Sequence, residues 1–199
     1  MNRVFDVAVA AVALVLAAPV VALIALAIRL EGGGPAIYRQ RRVGKDGAEF
    51  DLFKFRTMVS GSDPVGIGTA VPDDDPRVTR VGRLLRRLSL DELPNLLNVL
   101  RGEMAIVGPR PTIPAQVELY TSRQRRRLEV KPGLTGWAQV SGRTAIDWGE
   151  RIELDVWYVE NRSAALDARI LARTARLLLT GQGIGGDTPS SRVPPEWRR

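Results

Sequence analysis

From Val7 to Ile28 the chain carries no charged side chain and almost no polar group. Such a run must be buried, in lipid or in a protein core. As one helix it would be roughly 33 Å long at 1.5 Å per residue, enough to cross a bilayer core. Pro19 stands near its middle. A proline inside a helix removes one backbone donor and collides with the carbonyl four residues back. Val7 to Ala18 alone covers about 18 Å, too little to cross. Three architectures accommodate the segment: a transmembrane anchor kinked at Pro19, a cleaved signal peptide, and a re-entrant helix–break–helix that dips into one leaflet and returns. The signal peptide fits worst, because the run is long, Arg3 is the only cation ahead of it, and Asp6 adjoins it. Arg29, Arg39, Arg41, Arg42 and Lys45 put the following segment on the cytoplasmic side. Arg3 hints that the N-terminus lies there too.

The remainder of the 199 residues is long enough for one ordinary domain with a real core. The formal net charge of +7 favours anionic partners: nucleotides, phosphates, nucleic acid or anionic lipid headgroups. There is no cysteine, which excludes disulfides and thiolate metal sites. There is no histidine, which removes the commonest neutral-pH base. Acid–base and nucleophilic chemistry must fall to carboxylates, Lys, Tyr, Ser or Thr. Neither a Walker-type phosphate loop nor a dinucleotide fingerprint is present.

Gly32-Gly33-Gly34-Pro35 ends the apolar segment. Short strands are predicted at Ala36 to Tyr38 and Glu49 to Phe55, around the turn Gly44-Lys45-Asp46-Gly47. In strand geometry Lys54 and Arg56 share one face and Phe53 and Phe55 the other. Ser60 to Pro76 is a Gly-, Pro- and Asp-rich loop containing Asp73-Asp74-Asp75. Val78, Val81, Leu84, Leu85 and Leu88 recur at helical spacing with Arg80, Arg83, Arg86 and Arg87 between them. That basic amphipathic helix suits an anionic membrane surface or a phosphate site.

The next segment, Ser89 to Leu100, predicts a helix with Asp91 and Glu92 at its start. Either Ser89 and Glu92 form a capping box, or Asp91 is the N-cap with Pro94 in the first turn. Two adjacent acids there can be mere caps that complement the helix dipole. They can also belong to a phosphate site, since free backbone donors at a helix start attract phosphate oxygens. In that case a metal ion is needed to bring an anionic substrate to two carboxylates. Val107-Gly108-Pro109-Arg110-Pro111 follows with a cation between two prolines. Ile113 to Val130 is predicted as one helix, its run Arg123, Arg125, Arg126 and Arg127 reading as a solvated or membrane-facing surface. Lys131 to Arg143 reads as a glycine-punctuated loop and strand. Helices are expected at Ile152 to Asn161 and Ala164 to Leu179, and residues 181–199 as a flexible Gly-, Pro- and Ser-rich tail.

Five stretches, in this order, resemble the bacterial sugar transferases, the monotopic phosphoglycosyl transferases. They are Lys54-Phe55-Arg56-Thr57-Met58, Leu88 to Asn98, Val107 to Pro111, Lys131 to Arg143, and Leu154-Asp155-Val156-Trp157-Tyr158. The resemblance implies an α+β fold in which residues 1–31 form a re-entrant membrane helix broken at Pro19. Residues 32–180 would be a small, mostly helical cytoplasmic domain with short strands and amphipathic interfacial helices. It implies transfer of a sugar phosphate from a UDP-sugar to a polyprenol phosphate such as undecaprenyl phosphate. UMP would be released at the cytoplasmic face of the inner membrane. Asp91 would be the nucleophile and Mg2+ ligand, passing through an aspartyl-phosphosugar, and Glu92 its catalytic partner. Lys54, Arg56, Arg86, Arg110 and Arg143 would hold phosphate or uridine. Larger members carry transmembrane helices ahead of this unit, so the chain resembles the minimal catalytic form. Nucleic acid is not an implied partner, and a homodimer stays open. Two other readings compete: a glycosyltransferase with a metal at Asp73 to Asp75 that releases UDP, and a non-enzymatic membrane-surface scaffold.

Overall fold

The computed structural model of the chain describes residues 2–32, 34–62, 71–72, 74–141 and 147–180. Asp73, Arg143 and the tail 181–199, all singled out above, lie outside the described residues.

The apolar segment forms helix α1 (Arg3–Gly32), with Pro19 inside it. The helical path is continuous through Pro19, so the expected separation into two helices is not seen. The proline ring fixes φ near the helical value, and only one backbone bond need be lost. Most of α1 is exposed, and its hydropathy and 30-residue length suffice for a membrane span. Both of its ends nevertheless pack on the same folded body. At the start, Arg3 donates to the carbonyls of Val99 and Leu100. The buried Asp6 accepts from the Ile106 amide at 3.1 Å. At the finish, Ile24 and Ile28 pack with Ala36, Phe55 and Leu85. Glu31 accepts from the Arg80 and Val81 amides at 2.7 and 2.9 Å.

Strands β1 (Ile37–Val43) and β2 (Glu49–Phe55) pair antiparallel, with Tyr38 opposite Lys54. β1 extends past the expected Tyr38 because its polar residues face the exposed side while pairing with β2 continues to Val43. The turn between them places Asp46 at φ 56 and Gly47 at φ 81, as the Asp-Gly pair allows. Helix α2 (Arg80–Arg87) is capped by the Thr79 side chain. A 3-10 turn (Leu90–Glu92) leads into α3 (Asn95–Arg101).

Neither expected cap of that helix forms. Ser89 takes a left-handed backbone (φ 56) and makes no side-chain cap bond, and Pro94, not Asp91, stands at the N-cap of α3. The sharp reversal after α2 uses Ser89 as a hinge, so the acids lie on a separate turn one step ahead of α3. A short parallel pair follows, β3 (Ala105–Val107) with β4 (Gly133–Thr135). The single helix expected over Ile113 to Val130 is broken into α4 (Pro114–Glu118), α5 (Ser122–Arg125) and a 3-10 turn (Arg126–Glu129). Thr121 starts the new helix through a capping box with Gln124, and Tyr120 is drawn into the core between the pieces. Lys131 to Ser141 supplies the expected strand and also α6 (Trp137–Ser141), which periodicity missed. Helices α7 (Trp148–Asn161) and α8 (Ala164–Thr180) match expectation and start a little earlier or end a residue later.

One core unites these pieces. Ala10 of α1, Phe50 and Leu52 of β2, Leu96 and Val99 of α3, Ile106 and Val107 of β3, Tyr158 of α7 and Ile170 of α8 form a single buried cluster. Each large aliphatic or aromatic side chain so buried contributes about 1.5–3 kcal/mol. The N-terminal turns of α1 thus contribute to the domain's core.

Candidate active site

Two cationic side chains from separate segments meet at one carboxylate. Glu92 Oε1, on the 3-10 turn, accepts from Lys54 Nζ of β2 at 2.8 Å. It also accepts from Arg110 Nη2 at 2.8 Å. Lys54 is held over this turn by the way α3 is tied to β2. The fully buried Asn98 accepts from the Phe53 amide at 3.1 Å and donates to the Asp51 carbonyl at 2.7 Å. Asn98 thus repeats a strand partner's hydrogen bonds from a helix, and Lys54 follows in register.

Charge separates the two acids. The Arg110 and Lys54 cations hold the Glu92 carboxyl far below the usual carboxylate range, outweighing the opposing effect of its burial. Burial pushes the Asp91 carboxyl up to about 6, assisted by the Glu92 charge and opposed by Lys54, Arg110 and Arg86. Among the described residues the Asp91 carboxyl carries no hydrogen bond. Two neighbouring acids therefore have different characters: Glu92 is hydrogen-bonded to two cations that favour its charged form, and Asp91, without such a bond among the described residues, is pushed up to about 6. That contrast is a recurring mark of catalytic carboxylates.

The other expected ligands are placed differently. Arg86 lies close enough to act on Asp91, while its Nε donates to Thr57 Oγ1 and its Nη1 to the Val71 carbonyl, both at 3.0 Å. Thr57 is thus a member of the site that residue type alone did not mark. Its backbone touches α2 at Gly82, where a Cβ would lie 2.0 Å from the Thr57 carbonyl oxygen; only glycine lets α2 carry Arg86 so close. Arg56 starts beyond the end of β2. Its Nη1 donates to Ser60 Oγ at 2.7 Å, and its guanidinium lies against Gly34 at the exit from α1. The Arg56 amide still donates to the Ala36 carbonyl at 2.9 Å, one position past the end of β2.

An anion fits the mouth of this site, since Lys54, Arg86 and Arg110 surround a single open carboxylate. A magnesium ion fits as well. Asp91 offers unsatisfied hard oxygens, and magnesium commonly takes one or two carboxylates together with substrate phosphates and water. Among the described residues no group of three or more acids is placed to hold a metal by itself. At the rival acidic run, hydrogen bonds from Arg77 pull the Asp75 carboxyl down to about 2. Asp75 is committed to that guanidinium.

The model of the bacterial sugar transferase family matches residues 1–181. An uncharacterized sugar transferase, EpsL of Bacillus subtilis (strain 168), is 49% identical over 185 residues, covering 92% of this chain and 90% of that protein. The UDP-glucose:undecaprenyl-phosphate glucose-1-phosphate transferase of Caulobacter vibrioides is 47% identical over 187 residues, 90% of this chain and 70% of that protein. The exopolysaccharide production protein ExoY of Rhizobium meliloti (strain 1021) is 41% identical over 196 residues, 92% of this chain and 87% of that protein.

Proposed function

The chain belongs to the bacterial sugar transferase family, and from that premise we propose that it transfers a sugar phosphate from a UDP-sugar to a polyprenol phosphate, undecaprenyl phosphate, with release of UMP. The observation that carries this reading is the division within the acidic pair. Glu92 is neutralised by Lys54 and Arg110, and Asp91 stands beside it with its oxygens open.

Asp91 is the nucleophile. Its carboxylate oxygen bonds to the β-phosphorus as the bond from that phosphorus to the bridging oxygen breaks, and UMP leaves with the electron pair. The product is an acyl phosphate carrying the sugar. A polyprenol phosphate oxygen then bonds to the same phosphorus and the Asp91 carboxylate is regenerated. A phosphate monoester has its second pKa at about 6, so the acceptor needs little help from a base at neutral pH. Lys54, Arg86 and Arg110 hold the phosphate oxygens, with arginine forks suited to bidentate contact. Glu92 keeps Lys54 and Arg110 in place and sets the charge felt by Asp91. Asp91 would hold Mg2+, which would supply neutralisation of diphosphate charge. Purified protein incubated with undecaprenyl phosphate, Mg2+ and each of a panel of UDP-sugars should release UMP with at least one of them. Release of UDP with every active donor would refute the reaction and favour plain glycosyl transfer.

Topology follows the same reading. A straight helix of 30 residues is about 45 Å long, yet Arg3 and Asp6 at one end and Ile28 and Glu31 at the other engage one domain. Two ends seated on one cytoplasmic body support a re-entrant path in the inner membrane, entering and leaving on the cytoplasmic side, with Pro19 at its deepest point. A cysteine added ahead of Arg3 should react with a membrane-impermeant maleimide in inverted vesicles and not in intact spheroplasts. Labelling only in spheroplasts would mean that α1 spans.

A further inference from the structure

The segment Pro109-Arg110-Pro111-Thr112 contains two prolines and so lacks two of the amide donors that anchor an ordinary loop. It is held by its carbonyls. Gly133 N donates to the Pro109 carbonyl at 2.9 Å, and Val43 N donates to that of Thr112 at 2.8 Å. Arg42 Nη1 donates to the Pro111 carbonyl at 3.0 Å. The carbonyl of Arg110 itself accepts from Arg127 Nη2 at 2.8 Å.

Arg127 differs from the other arginines of its run, because it is only 4% exposed. The same guanidinium hydrogen-bonds Asp155 and the Tyr120 hydroxyl. Tyr120 donates onward to Thr112 Oγ1 at 3.0 Å, and Thr112 is bonded to Gln116. All five side chains are buried. A buried ion pair is a poor way to obtain stability, because an apolar pair of similar volume often packs as well. An apolar pair cannot, however, donate to a carbonyl.

We propose that Arg127, charge-balanced by Asp155, is a positioning residue for the transfer reaction: it grips the Arg110 carbonyl from behind and so fixes the Arg110 guanidinium on the acidic pair. The role rests on the transferase reading above. Asp155 lies in the Leu154 to Tyr158 stretch.

The test uses the full-length protein in lipid nanodiscs. Arg127→Met with Asp155→Leu removes the pair as a unit and leaves no lone buried charge. The kcat for UMP release should fall on the order of 10²-fold, the scale of a misplaced catalytic group. In an Arg110→Gln background the same pair of substitutions should cost less than about threefold more, because the residue they act through is gone. Equal losses in both backgrounds would overturn the proposal. A second readout needs no turnover: the Gly133 and Val43 amides, which donate to the Pro109 and Thr112 carbonyls, should exchange hydrogen at least about tenfold faster in the double variant, with the other β1–β2 amides unchanged. Unchanged exchange at those two amides would overturn the positioning role even in a protein that releases no UMP, whereas absent UMP release by the parent protein counts against the reaction alone. Should the double variant not fold, Tyr120→Phe frees one side of Arg127 without touching charge. It should show faster exchange at the Val43 amide, which donates to the Thr112 carbonyl, and the same loss of effect in the Arg110→Gln background, and additivity there refutes the proposal equally.

Discussion

Asp91→Asn should leave no sugar-phosphate adduct on the protein and should lower transfer by on the order of 10⁴-fold or more, the scale seen when a catalytic nucleophile is removed. The measurement is intact mass after incubation with UDP-sugar and Mg2+ in the absence of lipid, paired with UMP release when lipid is present. Asparagine keeps the shape of the side chain and lacks the nucleophilic oxygen, so loss of adduct with unchanged folding isolates the chemistry. Glu92→Gln should do less, about 10²-fold, because it disturbs charge placement and leaves the nucleophile in place. The pH dependence carries a sign for each neighbour. Burial and the Glu92 charge raise the Asp91 carboxyl to about 6, so adduct formation at low donor concentration should fall about tenfold per pH unit below that value. Removing the Glu92 charge should move this limb to lower pH. Removing the Arg110 charge should move it higher. An adduct that persists in Asp91→Asn, or that maps to another side chain, would end the assignment.

Gly133→Ala should destabilise the protein by about 3 kcal/mol or more, the upper range for overpacking a rigid site. A Cβ at Gly133 would lie 2.1 Å from Gly108 N, 2.5 Å from the Thr135 carbonyl oxygen and 2.7 Å from the Val107 carbonyl carbon. All three are backbone atoms in or beside the β3–β4 pair, so no side-chain rotation relieves the clash. For a chain of this size each kcal/mol moves the unfolding midpoint roughly 2–4 °C, which places the expected drop at about 6–12 °C. The same displacement loosens the bond from Gly133 N to the Pro109 carbonyl and with it the position of Arg110. Transfer should therefore fall more than the folded fraction does. A variant with the midpoint and activity of the parent would show that the two strands part without cost.

Part of this candidate site was legible in the sequence, and the reasons are chemical. Asp91, Glu92, Lys54 and Arg110 lie within short stretches whose residue types already speak of phosphate, and the chain offers no histidine or cysteine to compete for the role. The structure joins Lys54 and Arg110 on Glu92. Local pattern failed where a residue's meaning depends on a distant partner. Arg127 looks like one more surface cation, since Arg125 and Arg126 beside it are one; only Asp155, 28 positions away, and Tyr120 reveal it as a core residue. Thr57 carries no charge to attract notice until Arg86 bonds to it. The caps expected at Ser89 or Asp91 failed because the turn there is dictated by how α2 must reverse into α3.

The uncharged run at the N-terminus required burial whatever the rest of the chain did, because an apolar surface of that length in water is prohibitive. Residue chemistry likewise required that any nucleophile be an oxygen or an amine, and a surplus of cations pointed to an anionic substrate. Which acid would be pinned and which left open could not be read from two adjacent carboxylates in a row. That came from three segments converging, when β2 and the Pro109–Pro111 segment hydrogen-bonded both cations to Glu92 and acted on Asp91 through charge alone. The destination of the two ends of α1 was also a matter of packing, since hydropathy measures how deep a segment prefers to lie and is silent on the side to which it returns. Arg3, Asp6 and Glu31 seat both ends on one domain.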